Sequence, residues 1–136
     1  MANKIDFATY VPNISFISGN IAQNTNVNFN NWNENNIGST TVNGLVIGAT
    51  YLVWAHTQYT TRFTYEGAEL RFKLGSTLID YSYVSNCWSS ASYLGIYTPT
   101  ATSVTAAVVG RGDWAQKDSS NKCRVGATNF RLLRVR

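Results

Sequence analysis

Leu70, Phe72 and Leu74 alternate with Glu69, Arg71 and Lys73, and after Gly75-Ser76 a second run of β-formers begins at Thr77. Alternation at period two sends successive side chains to opposite faces, one buried and one wet, which marks a β-strand. A two-residue connection that starts with glycine suits a type II′ turn, so the pattern predicts a hairpin of strands 69–74 and 77–84. Upstream, GLVIGATYLVWAHTQY (44–59) is a strand-rich run punctuated by Gly44 and Gly48. Downstream, strands are predicted over 92–98, stopped by Pro99, over 104–110, and over 129–136. The stretch 20–36 is rich in asparagine, nine of seventeen residues. Val27, Phe29 and Trp32 within it indicate a short ordered strand, and asparagine tolerates the left-handed turns between. Residues 1–20 read as an extended arm. Its apolar residues, Ile5, Phe7, Tyr10, Val11, Ile14, Phe16 and Ile17, follow no helical period. That much apolar surface must be covered by its own domain or by a neighbour.

Seven to nine short strands at roughly ten-residue spacing, with no helical segment, predict an all-β chain. The expected architecture is an antiparallel jelly-roll-type β-sandwich. It forms one domain over 21–136, preceded by the extended N-terminal arm over 1–20. The last strand is apolar enough to be central in its sheet.

Composition agrees. Eight Tyr, six Phe and four Trp bring the aromatics to 13%. Aromatic and β-branched side chains fit a pleated, half-buried surface and lose rotamer freedom in a helix. Charge is sparse, at 13%, about half of an average domain's share of roughly 25%. Asn, Thr and Ser supply the polar surface instead, and a surface of that kind suits lateral packing or contact with sugars. The net charge of +4 is uneven: Arg111, Lys117, Lys122, Arg124, Arg131, Arg134 and Arg136 crowd the last 26 residues against Asp113 and Asp118. These bases are spaced rather than clustered and no nucleic-acid motif accompanies them, so nucleic acid is not the favoured partner.

The residues that could carry chemistry are few. Cys87 and Cys123 stand apart with no CxxC and no nearby histidine, which is not metal-ligand spacing; buried free thiols or one bridge both remain open. No metal and no cofactor is expected. His56 has no nucleophile motif around it and reads as structural. Glu66, Glu69 and Asp80 are the acids nearest each other, the minimum for a sugar hydrolase, but the alternation places Glu69 toward solvent as a surface charge. Arg111-Gly112-Asp113 spells an integrin-type tripeptide and is equally good turn chemistry. Trp114 beside it is either a core residue or an interface anchor. The alternation of Arg124, Arg131, Arg134 and Arg136 is either a solvated strand face or a strip meeting an acidic neighbour. No apolar run reaches membrane-spanning length, and MANKIDFATYVPN has no apolar signal core, so synthesis in a host cytoplasm without a signal peptide is expected.

GATYLVWAHTQY at 48–59, ELRFKLGSTLIDYS at 69–82 and ATNFRLLRVR at 127–136 together resemble a class of phage and other viral structural proteins with a jelly-roll or tumour-necrosis-factor-like sandwich. The resemblance implies a virion component, commonly trimeric. On that basis the expectation is a non-enzymatic capsid decoration (cement) protein on the capsid surface, bound to the major capsid protein. Its contacts would come from Phe7, Tyr10, Phe16, Arg111, Trp114, Lys117, Lys122, Arg131, Arg134 and Arg136. The alternative is a receptor- or carbohydrate-binding knob that uses aromatics such as Trp88, Tyr93, Tyr97 or Trp114 on a glycan or host receptor. A sugar-acting enzyme built on Glu66, Glu69 or Asp80 is the third possibility.

Overall fold

The computed structural model describes residues 16–27, 31–60, 68–83, 89–112 and 123–136. Among these there is no helix, and ten strands follow in order: β1 (Ile17–Ile21), β2 (Asn24–Val27), β3 (Asn31–Asn43), β4 (Tyr51–Thr60), β5 (Ala68–Leu74), β6 (Thr77–Tyr83), β7 (Ser89–Tyr97), β8 (Ser103–Gly112), β9 (Cys123–Val125) and β10 (Thr128–Arg134).

Pairing is nested. β5 pairs β6, β4 pairs β7, β3 pairs β8, β2 pairs β9 and β1 pairs β10, all antiparallel. The chain is thus one long hairpin ribbon whose fold-back point is the Gly75-Ser76 turn, where Gly75 has φ 59°. Positive φ is what a glycine-first hairpin turn requires. Cross-links between turns of the ribbon, β10 to β4 and β8 to β5, roll it into two layers. Sheet A contains β1, β10, β4 and β7, extended past the end of β4 by the short pair β9 and β2; sheet B has the order β3-β8-β5-β6. This is the jelly-roll sandwich. β10 lies between β1 and β4, central as its apolar pattern predicts.

Three boundaries differ from the pattern-based expectation. The border set at residue 20 falls inside β1, because Ile17 to Ile21 register against Leu132 to Thr128 and bury Ile21 against the core. The end of the expected arm is therefore an edge strand of sheet A; residues 1–15 lie outside the described residues. The run 44–50 is a loop and not strand. Gly44 and Gly48 have φ 81° and 76° there, and Leu45 and Gly48 donate backbone hydrogen bonds to Thr102 and Pro99. The asparagine-rich stretch carries two strands, β2 and the first part of the thirteen-residue β3.

The core is filled from both layers. Phe72 of sheet B meets Tyr93 and Phe130 of sheet A, with ring centroids 4.4 and 5.9 Å apart. Val42, Leu70, Leu74 and Val108 of sheet B are buried against Val53 and Leu132 of sheet A. One pair of polar side chains is also enclosed: the Thr128 hydroxyl donates to the Thr57 hydroxyl at 3.0 Å. The sheets approach closely at both sides: a Cβ on Gly95 of β7 would run into the Cγ2 methyl of Ile79 on β6, and one on Gly38 of β3 into that of Ile21 on β1.

Candidate functional site

Alternation along β4 separates two sets of side chains. Tyr51, Val53, Ala55, Thr57 and Tyr59 are buried, while Leu52, Trp54, His56 and Gln58 point away from the core. The register carries that outer face across the neighbouring strands. Trp54 stands between Arg131 of β10 and Leu94 of β7. His56 stands between Asn129 and Ser92, and Leu52 between Leu133 and Ile96. Asn20 of β1 continues the His56 row. The face is therefore graded from an apolar end (Leu52, Leu133, Leu94 and Ile96) to a polar end (His56, Ser92, Asn129, Asn20 and Gln58).

Trp54 marks the junction. Its side chain is 38% exposed, with Leu94 and Ile96 at 62% and 69%. Large exposed apolar residues grouped on one face mark an interaction surface more often than singles do. The indole is held by the sheet and by two neighbours: the His56 ring lies nearly parallel to it at 5.9 Å, and the Arg131 guanidinium sits 5.6 Å from its centroid. His56 is fixed in turn by a 2.7 Å contact between Nδ1 and the Ser92 hydroxyl. All four side chains sit on regular strands, so their spacing is set before any ligand arrives.

The outer face of sheet B has a different chemistry. Glu69 accepts hydrogen bonds from Arg111 Nε and Nη2 at 2.8 and 3.2 Å and from Arg71 Nε at 2.8 Å. Arg71 also reaches Glu34, which holds Lys73 as well. Hydrogen bonding from Arg111 holds the Glu69 carboxyl below the usual carboxylate range against the opposing effect of burial. Lys73 does the same for Glu34. This is a closed lattice of charge, with both carboxylates ionised near neutral pH.

Several sequence expectations are changed by these positions. Glu69 is 5% exposed and locked between two arginines, so it is not a solvent-facing surface charge. The same lattice occupies Arg111, which was expected to meet a partner. Tyr93 and Tyr97 are buried, and Tyr93 packs on Phe72, so neither is an exposed anchor. Arg131 and Arg134, three residues apart on β10, fall on opposite faces and form no common strip with each other. Arg131 joins Trp54; Arg134 bonds to the Arg136 carbonyl at 3.5 Å. Phe16 is half exposed at the head of β1. Phe7, Tyr10, Glu66, Cys87, Trp88, Asp113, Trp114, Lys117 and Lys122 lie outside the described residues. Asp80 and Cys123 are placed by backbone alone, on β6 and β9. Among the described residues, no group of three His, Cys, Asp or Glu side chains is placed to hold a metal.

Trp54 was the residue to find. Its signal was in the sequence: a tryptophan at an outward position of an alternating strand, flanked two residues on by the lone histidine.

No family model matches the chain, and no curated protein does. Solved structures give distant fold likenesses. One is the C-terminal domain of EclA, a sugar-binding protein, at TM-score 0.49 and 19% identity over 96% of this chain and 88% of that one. Another is the C-terminal CBM6 of LamC, a marine laminarinase from Zobellia galactanivorans, at 0.47 and 10% identity over 83% and 98%. A third is a Stig cyclase from Fischerella sp. TAU, at 0.40 and 9% identity over 93% and 79%. Likenesses of this degree carry no argument about function.

Proposed function

We propose that the protein is a glycan-binding domain and not an enzyme, with the outer face of sheet A as its binding surface. The observation that carries this reading is the exposed indole of Trp54 on a regular sheet, with Arg131 beside it and the hydrogen-bonding side chains of His56, Ser92 and Asn129 in the next row. A sugar ring presents an apolar C–H face and a rim of hydroxyls. The first needs a flat aromatic surface and the second needs donors and acceptors at fixed positions. Trp54 supplies one; Ser92, His56, Asn129 and Gln58 supply the other. Glu69, one of the acids that sequence offered for hydrolysis, is neutralised by Arg111 and Arg71 on the outer face of sheet B, away from this surface.

The capsid-decoration reading rests on sequence resemblance. Of its ten contact residues, five lie outside the described residues and Arg111 is engaged within the domain. A binding knob, the alternative, needs only the face described above.

The test is titration of soluble oligosaccharides into wild type and Trp54→Ala, after a screen on immobilised glycans. Loss of ring stacking is expected to weaken binding about tenfold or more. Trp54→Phe should retain part of it. If wild type binds no glycan, or if Trp54→Ala binds as well as wild type, the proposal fails.

A further inference from the structure

Charge is segregated between the two sheets. The described carboxylates Glu34 and Glu69 both sit on sheet B, each consumed by Arg71, Lys73 or Arg111. On the sheet A side, Arg124 and Arg131 have no acidic partner among the described residues. Both belong to the Trp54 face. Arg131 stands opposite Trp54, and Arg124 pairs with Thr60 next to the buried Tyr59–Val125 pair, which turns it outward. The Trp54 and Thr60 rows are six positions apart along β4, roughly 20 Å at strand rise. Between them the outward side chains His56, Gln58, Ser92 and Asn129 are not carboxylates.

A guanidinium 5.6 Å over an aromatic ring, with no carboxylate among the described residues to neutralise it, is arranged to bind an anionic group on a ligand seated at the exposed part of that indole. Its donor fork matches carboxylate and sulfate oxygens. We infer that the ligand of this face is an anionic glycan, one bearing carboxylate or sulfate groups, lying along β4 between Arg131 and Arg124. The inference rests on the glycan reading above and narrows it. Two cations over about 20 Å leave most of the face uncharged, which suits sugar hydroxyls between acidic groups better than a nucleic acid strand, whose phosphates recur about every 3.4 Å of helix axis.

The experiment compares wild type, Arg131→Gln, Arg124→Gln and Trp54→Ala on four soluble probes: a polyuronate, a sulfated galactan, a neutral β-glucan and single-stranded DNA. Binding is read by calorimetry at low and moderate salt. Both arginines are exposed, so the thermal midpoint of each Gln variant should match wild type. The expected result is a preference of about tenfold or more for one of the acidic glycans over the neutral one. Arg131→Gln should remove most of that preference, and added salt should weaken it. If neutral and acidic glycans bind equally, or Arg131→Gln changes nothing, the anionic inference falls while the glycan reading stands. Equal, Trp54-independent binding of DNA marks the face as a general polyanion surface and overturns it too. If no glycan of any charge binds, both fall together.

Discussion

Glu69 and Arg111 stand directly opposite each other on β5 and β8, joined by a two-point hydrogen bond in which Arg111 Nε and Nη2 each reach one carboxylate oxygen. Arg71, two residues along β5, closes on the same carboxylate. Glu69 is almost fully covered, so removing its charge takes the shared carboxylate from Arg111 and leaves Arg71 its pair with Glu34. Glu69→Gln is expected to lower stability by roughly 1–3 kcal/mol, moderated because both arginines keep some solvent contact. Urea unfolding at pH 7 measures it, and a loss below about 0.5 kcal/mol would show the lattice to be incidental.

The same lattice fixes an acid limit. Glu34 and Glu69 both have folded-state pKa values depressed below the ordinary 4.5, through hydrogen bonds from Lys73 and Arg111 respectively. A depressed carboxylate contributes stability that is present above its unfolded pKa and lost as pH falls through the folded one. The thermal midpoint should therefore decline below about pH 4.5, and the Glu34→Gln/Glu69→Gln double variant should decline less steeply. Parallel curves for the two proteins would remove these residues from the acid response.

Much of the fold was legible because alternation and turn chemistry are local. Leu70, Phe72 and Leu74 announced their buried face, and Gly75 its turn. What alternation could not see was the partner across the sheet. Glu69 occupies an outward position by pattern, yet Arg71 and Arg111 cover it, and Arg111 comes from 42 residues away. Tyr93 and Tyr97 failed as exposed anchors for the same kind of reason, since a tyrosine in a strand suits either face. Alternation puts Trp54 outward, but its place on a shared surface depends on β7 and β10, which bring Leu94 and Arg131 beside it.

Gly95 lets the two sheets close on each other. Any Cβ there would overlap the branched methyl of Ile79, with the Ile79 carbonyl oxygen also close, at 3.4 Å. Neither is the free end of a flexible chain, so the edge strands β6 and β7 must separate to make room. Gly95→Ala is expected to cost about 1–3 kcal/mol by overpacking, and Gly95→Ala/Ile79→Ala should recover part of the loss. Denaturant midpoints of the single and double variants decide it; an unchanged midpoint for Gly95→Ala would mean the sheets shift freely.

Thr57 and Thr128 give a sharper test of how the core tolerates polarity. They face each other across β4 and β10, fully buried, and the Thr128 hydroxyl donates to that of Thr57. Thr57 in turn donates toward the Gly126 carbonyl at 3.3 Å, where the chain turns from β9 into β10. Valine has nearly the same shape as threonine but makes no hydrogen bond. Thr57→Val strands the Thr128 donor in an apolar core, which costs on the order of 1–3 kcal/mol. Thr128→Val leaves Thr57 its bond to Gly126 and should cost less. In the double variant neither hydroxyl remains to be stranded, so the combined loss should be smaller than the sum of the single losses, with a coupling of about 0.5–1.5 kcal/mol. Equilibrium unfolding of the four proteins measures that cycle. Strict additivity would mean that the two hydroxyls are satisfied independently and that their pairing contributes nothing to the fold.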